Sequence, residues 1–153
     1  MIKKLHFIFL LLPSLYAQEI KFYDIPCMIT GDIKFQYTNK KFKELELPRE
    51  MCNDPQKAML KDTSIEVAYK IYLKRINSND EYKDMRVLKE ILPIKDIKYK
   101  AKSASSDENI NVSYNWINSN KLEIIIGEIG SESRIYFIKN GKNTEIIEML
   151  FVY

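Results

Sequence analysis

The sequence predicts an α+β protein dominated by an antiparallel sheet. Three observations carry this reading. Period-two alternation runs through the C-terminal half from Lys95 onward, the breaks between alternating runs are short, and helical spacing is confined to the middle of the chain. The predicted order is an N-terminal β-hairpin, one or two helices, and a β-meander of about five strands in the C-terminal half. A partly closed barrel is the alternative architecture.

The N-terminal elements are read as follows. Residues 18–26 form an entry strand or an extended arm, with Ile20 and Phe22 facing one way and Lys21 and Tyr23 the other. Ile33, Phe35 and Tyr37 alternate with Lys34, Gln36 and Thr38, and Phe42, Leu45 and Leu47 follow the turn Asn39-Lys40. A two-residue turn there pairs Thr38 with Lys41, and the same register carries Cys27 opposite Cys52. Pro26 and Pro48 interrupt the ladder near that end, so approach rather than regular pairing is expected. The stretch Glu50 to Lys61 reads as a loop with one helical turn after Pro55.

Residues 63–76 fit two patterns. Ile65, Val67, Tyr69, Ile71 and Leu73 alternate as in a strand, while Ile65, Ala68, Tyr69, Tyr72, Leu73 and Ile76 make a helical stripe. The stripe reaches Ile76 and the alternation fails at Arg75, which favours a helix, with Thr63 and Glu66 as its capping box. Ser78 and Glu81 form a second capping box. It precedes Tyr82, Met85, Leu88, Ile91 and Leu92, so a helix over about 79–91 is expected, stopped near Pro93.

The meander follows. Ile97, Tyr99 and Ala101 face away from Lys98, Lys100 and Lys102, and Ser103 to Asn109 is a polar turn. Ile110, Val112, Tyr114 and Trp116 alternate with polar residues. Asn118-Ser119-Asn120 turns the chain into Leu122–Ile126. A loop over Gly127 to Ser133 leads to Arg134–Lys139, and the hairpin pair Asn140-Gly141 leads to a last strand over Thr144 to Val152.

The first seventeen residues predict an address. Met1-Ile2-Lys3-Lys4 is a positive start, Phe7 to Leu12 is apolar, Pro13-Ser14 breaks the run, and Leu15-Tyr16-Ala17 is a cleavage site. A bilayer-spanning helix needs about 20 apolar residues, so this run is a signal peptide rather than an anchor, and no transmembrane segment is expected. Cleavage leaves 18–153 as a single globular domain, periplasmic, with secretion as the alternative. Two cysteines in an exported chain then favour a disulfide between Cys27 and Cys52.

Composition excludes several functions. Losing Lys3 and Lys4 brings 24 basic residues to 22 against 21 acidic ones. That near-neutral balance makes no case for nucleic acid. The one histidine is His6, inside the signal peptide, so the exported chain lacks the imidazole of Ser-His-Asp or Cys-His catalysis. No metal-ligand spacing is present, and no cofactor is expected.

The candidate partner-binding residues are Lys98, Lys100 and Lys102 with Tyr99, Tyr114 and Trp116. With Lys95, the lysines read either as a contact for an anionic partner or as charges that guard an edge strand. The aromatic trio reads as core with polar tips at the rim, or as a stacking patch. Asp107-Glu108 and Glu128 with Glu132 are carboxylates in the two loops, the arrangement that a histidine-free hydrolase would use.

The functional expectation is a non-catalytic periplasmic binding protein with a protein partner in the cell envelope, acting as an inhibitor or immunity protein. The alternatives are a carboxylate-only envelope hydrolase and an accessory subunit of an envelope assembly whose Lys95–Lys102 edge pairs with another strand.

Overall fold

The computed structural model describes residues 20–25 and 52–152, the side chains of 52–54 excepted. The strands are β1 (Tyr23–Asp24), β2 (Cys52–Leu60), β3 (Ile97–Lys102), β4 (Asn109–Asn118), β5 (Lys121–Glu128), β6 (Ser131–Asn140) and β7 (Asn143–Val152). The helix α1 (Ile65–Ser78) and a 3₁₀ helix (Asp80–Val87) lie between β2 and β3. All pairs are antiparallel, in the order β1-β2-β7-β6-β5-β4-β3. The five-strand C-terminal meander is as expected, β1 and β2 form the N-terminal hairpin, and the sheet stays open rather than closing into a barrel. The predicted signal peptide, the predicted turn at Asn39-Lys40 and Cys27 lie outside the described residues, and Cys52 enters β2 by its backbone.

Helical spacing wins over strand spacing at 65–78. Ile65, Ala68, Tyr69, Tyr72 and Ile76 share one face of α1, and all are buried against the sheet. Tyr69 and Tyr72 meet Phe137 of β6 edge-on, with ring centroids 5.8 and 5.6 Å apart. Ile110, Val112, Tyr114, Leu122, Ile124, Ile135 and Ile146 complete this core on what is here called the inner face. The outer face of β6 and β7 buries a smaller cluster of Tyr136, Ile147, Met149 and Phe151, with Ile25 packed against it.

Several sequence expectations are corrected. The loop expected over Glu50 to Lys61 is largely strand β2. Ala58 and Leu60 point into the core and Met59 points out, and a register shift between Asn53 and Gln56 accommodates Pro55. The Pro55 carbonyl accepts a bond from Ile25 N–H at 2.9 Å.

The cap of α1 is Ser64, whose hydroxyl accepts from Val67 N–H, and not Thr63. The buried Thr63 hydroxyl instead donates to the Lys61 carbonyl at 2.5 Å. The expected helix over 79–91 is the shorter 3₁₀ helix, capped by Asn79 rather than Ser78 and kinked at Tyr82 (φ −100°, ψ 21°). It ends because Leu88 turns extended (φ −66°, ψ 149°) and drops into the core. Ile91 is therefore 82 % exposed rather than inward-facing.

The meander turns are tighter than expected. Ile129-Gly130 alone separates β5 from β6, so Glu132 belongs to a strand. Asn140 pairs with Asn143, which makes Gly141-Lys142 the turn. Gly141 has φ +58° and Lys142 is not left-handed, the II′ pattern in which glycine takes the first central position.

Candidate functional site

Strand alternation sorts the candidate residues onto two faces. In the β3–β4 register Ile97 lies opposite Tyr114 and Tyr99 opposite Val112, all on the inner face. Lys98, Lys100 and Lys102 lie opposite Ser113, Asn111 and Asn109, on the outer face. The structure therefore separates the three lysines from the three aromatic residues.

The aromatic residues are committed to the core. Tyr114 is fully buried, and its hydroxyl accepts from Lys89 N–H at 2.9 Å. Tyr99 donates to the Val87 carbonyl at 2.6 Å, and Trp116 Nε1 donates to the Pro93 carbonyl at 2.8 Å. All three fasten the segment before β3 to the sheet. The Lys89 ammonium sits 4.5 Å from the Tyr99 ring centroid. Burial first, then the charge and hydrogen bond of Tyr114, raises the Tyr99 phenol well above its ordinary value.

The lysines are exposed. Lys102 Nζ reaches the Asp107 carbonyl at 3.2 Å. Neither Lys98 nor Lys100 forms an ion pair among the described residues. They form one wall of an open groove of about 560 Å³ on the outer face. Asn111 and Ser113 of β4 line it next, Gly127 of β5 leaves its floor low, and Glu132 of β6 stands opposite. The nearest atom to a Cβ built on Gly127 is the Asn111 carbonyl oxygen at 3.9 Å, so a missing side chain makes the depression.

The groove's charge is asymmetric. Glu132 is bonded to Arg134 Nε, and the Arg134 guanidinium also lies 4.0 Å from Glu123 and 5.3 Å from the Phe151 ring centroid. Glu132 is thus compensated, Glu128 also borders the groove, and the near wall carries two positive charges without an ion pair among the described residues. A groove of this kind selects an anionic or polar occupant.

The carboxylates expected in the loops come near one another: Glu128 and Glu132 both line the groove, although they alternate in the β5–β6 register. Burial first, then the charges of Asp84 and Glu108, raises the Glu128 carboxyl above its ordinary value. Asp84 itself closes the 103–108 loop. Its carboxylate accepts from Ser103 Oγ and Ala104 N–H at 2.8 Å, from Ser105 N–H at 3.0 Å, and from Ser105 Oγ. No cluster of three or more metal-ligating His, Cys, Asp or Glu side chains occurs among the described residues. No helix among them is long and apolar enough to cross a membrane.

Sequence reasoning missed Asn111, Ser113 and Gly127. The signal was available: Asn111 and Ser113 are the polar half of the β4 alternation, and a glycine within a strand, here next to the end of β5, marks an empty site on a sheet face. No family model, no curated protein and no solved structure matches this chain.

Proposed function

We propose that the protein is a non-catalytic binding protein of the bacterial envelope that acts on a protein partner in the manner of an inhibitor or immunity protein. The observation that carries this reading is the outer-face groove, walled on one side by Lys98 and Lys100 with neutral Ser113 and Asn111 beside them. A charged wall without internal partners costs nothing in water and favours a complementary protein surface. Glu132 of the far wall is already bonded to Arg134, which favours binding over a two-carboxylate hydrolysis. The signal peptide expected at residues 1–17 supports a meeting in the periplasm, with secretion as the alternative.

Site-specific photocrosslinking in the native cell tests the proposal. A photoreactive residue at Ser113 should give one discrete protein adduct. The same residue at Lys74, an exposed position on α1, should give none. Failure of Ser113 to capture any protein overturns the reading.

A further inference from the structure

Resting on that reading, we propose that the outer edge of β3 adds an extended, acid-bearing segment of the protein partner as an eighth strand. Among the described residues β3 has β4 as its sole neighbour, so one edge of its backbone is unpaired. Just beyond its last residue, Ser103 N–H donates to the Glu108 carbonyl at 3.1 Å, toward β4. Antiparallel alternation then directs the N–H and C=O groups of Ile97, Tyr99 and Ala101 at β4, and turns those of Lys98, Lys100 and Lys102 outward. The six-residue strand contains no proline, so each of those outward groups can pair.

Charge selects the incoming strand. Lys98, Lys100 and Lys102 lie on one face at every second position, and each is opposite a neutral residue of β4. A second copy of β3 would set lysine beside lysine, which opposes self-pairing. An incoming strand with Asp or Glu at alternate positions would place each acid beside a lysine on the outer face, across β3 from the groove. Main-chain bonds would supply affinity and the lysine ladder would supply selection.

The test uses the full chain, labelled with ¹⁵N, and two capped eight-residue peptides, one alternating Glu with Val and one alternating Lys with Val. The Glu peptide should slow hydrogen exchange at the amides of Lys98, Lys100 and Lys102, and the Lys peptide should not. Lys98→Glu with Lys100→Glu, both at exposed positions, should abolish Glu-peptide binding and confer Lys-peptide binding. The β3 amides of this variant should keep their native shifts at the sites facing β4. Three outcomes overturn the proposal: binding that leaves the three outward amides unprotected, equal binding of both peptides, or a concentration-dependent dimer protected at β3. If Ser113 still captures a protein in the cell after any of these, the groove reading stands and only strand addition falls.

Discussion

The Tyr114 hydroxyl lies 2.8 Å from that of Tyr69, and the two together hold both backbone polar groups of one residue, Lys89. Tyr69 donates to the Lys89 carbonyl at 2.5 Å, and Lys89 N–H donates to Tyr114 at 2.9 Å. The Tyr69 proton is used on Lys89, so Tyr114 donates to Tyr69. Helix and sheet are thereby bonded at the start of the segment that leads into β3. Tyr114→Phe removes an acceptor from that N–H and should cost about 1–2 kcal/mol in denaturant unfolding. Exchange at Lys89 N–H should accelerate more than at β5 or β6.

The same pair predicts a loss of stability in alkali. Burial pushes the Tyr69 phenol up to about 12, with its bond to Tyr114 acting in the opposite sense, from an ordinary value of 10.0. Unfolded, this phenol ionises first, so the stability from its neutral form is complete below about pH 10 and is lost as pH rises through about 12. Denaturation midpoints measured from pH 9 to 12 should fall, and should fall less steeply in Tyr69→Phe. Identical slopes for the two proteins would assign the loss to other groups.

Glu148 of β7 ties α1 to the sheet by charge. Arg75 Nη1 donates to it at 2.9 Å and Tyr72 donates to its other oxygen, while the guanidinium lies over the rings of Phe22 and Tyr82 at 4.1 and 4.5 Å. Glu148→Ala leaves a partly buried guanidinium and a buried phenol without their acceptor and should cost roughly 2–3 kcal/mol. A urea titration with an unchanged m-value and a midpoint near wild type would contradict this.

These examples mark what a single sequence exposes. The inner-face alternation of β4 and the stripe of α1 were legible because burial enforces period two and period 3.6 directly. The cap was misplaced by one residue because Thr63 and Ser64 carry the same chemistry locally. Tertiary contact separates them: Thr63 supplies its carbonyl to Thr144 Oγ1 at 2.5 Å and Lys139 Nζ at 2.8 Å, across 81 and 76 residues. Strand β2 was hidden because its partner β7 lies far along the chain, and Pro55 suggests the start of a helical turn rather than a bulge. The lysine wall was legible, but the groove was not, since its floor is a residue with no side chain.

Ser64→Ala should cost about 1 kcal/mol through loss of the bond to Val67 N–H, read as a lowered denaturation midpoint. The helical content of the folded protein should be unchanged. Rescue by Ser64→Asp, which restores an acceptor at the same place, separates a capping role from any other role of the hydroxyl.

Outside the described residues, oxidative pairing of Cys27 with Cys52 is proposed to staple the N-terminal region to β2. Closing a loop of about 25 residues stabilises a fold by about 3 kcal/mol in the chain-entropy treatment. Protein purified from the periplasm should take up no alkylating reagent until it is reduced, by intact mass. Two alkylated thiols before reduction would sink the staple.

Gly127 offers the most direct control on the groove. A Cβ there meets nothing closer than 3.9 Å, and the backbone is not left-handed, so a methyl group fits without strain. Gly127→Ala should hold or raise stability by about 0.5–1 kcal/mol, because glycine in a strand carries excess unfolded entropy. Gly127→Phe should fold with a native-like denaturation midpoint while its ring fills the depression between Lys100 and Glu132. The adduct captured from Ser113 should then disappear, although both lysines remain in place. Undiminished capture by the filled variant would mean that the partner bypasses the groove and meets the protein elsewhere on the sheet.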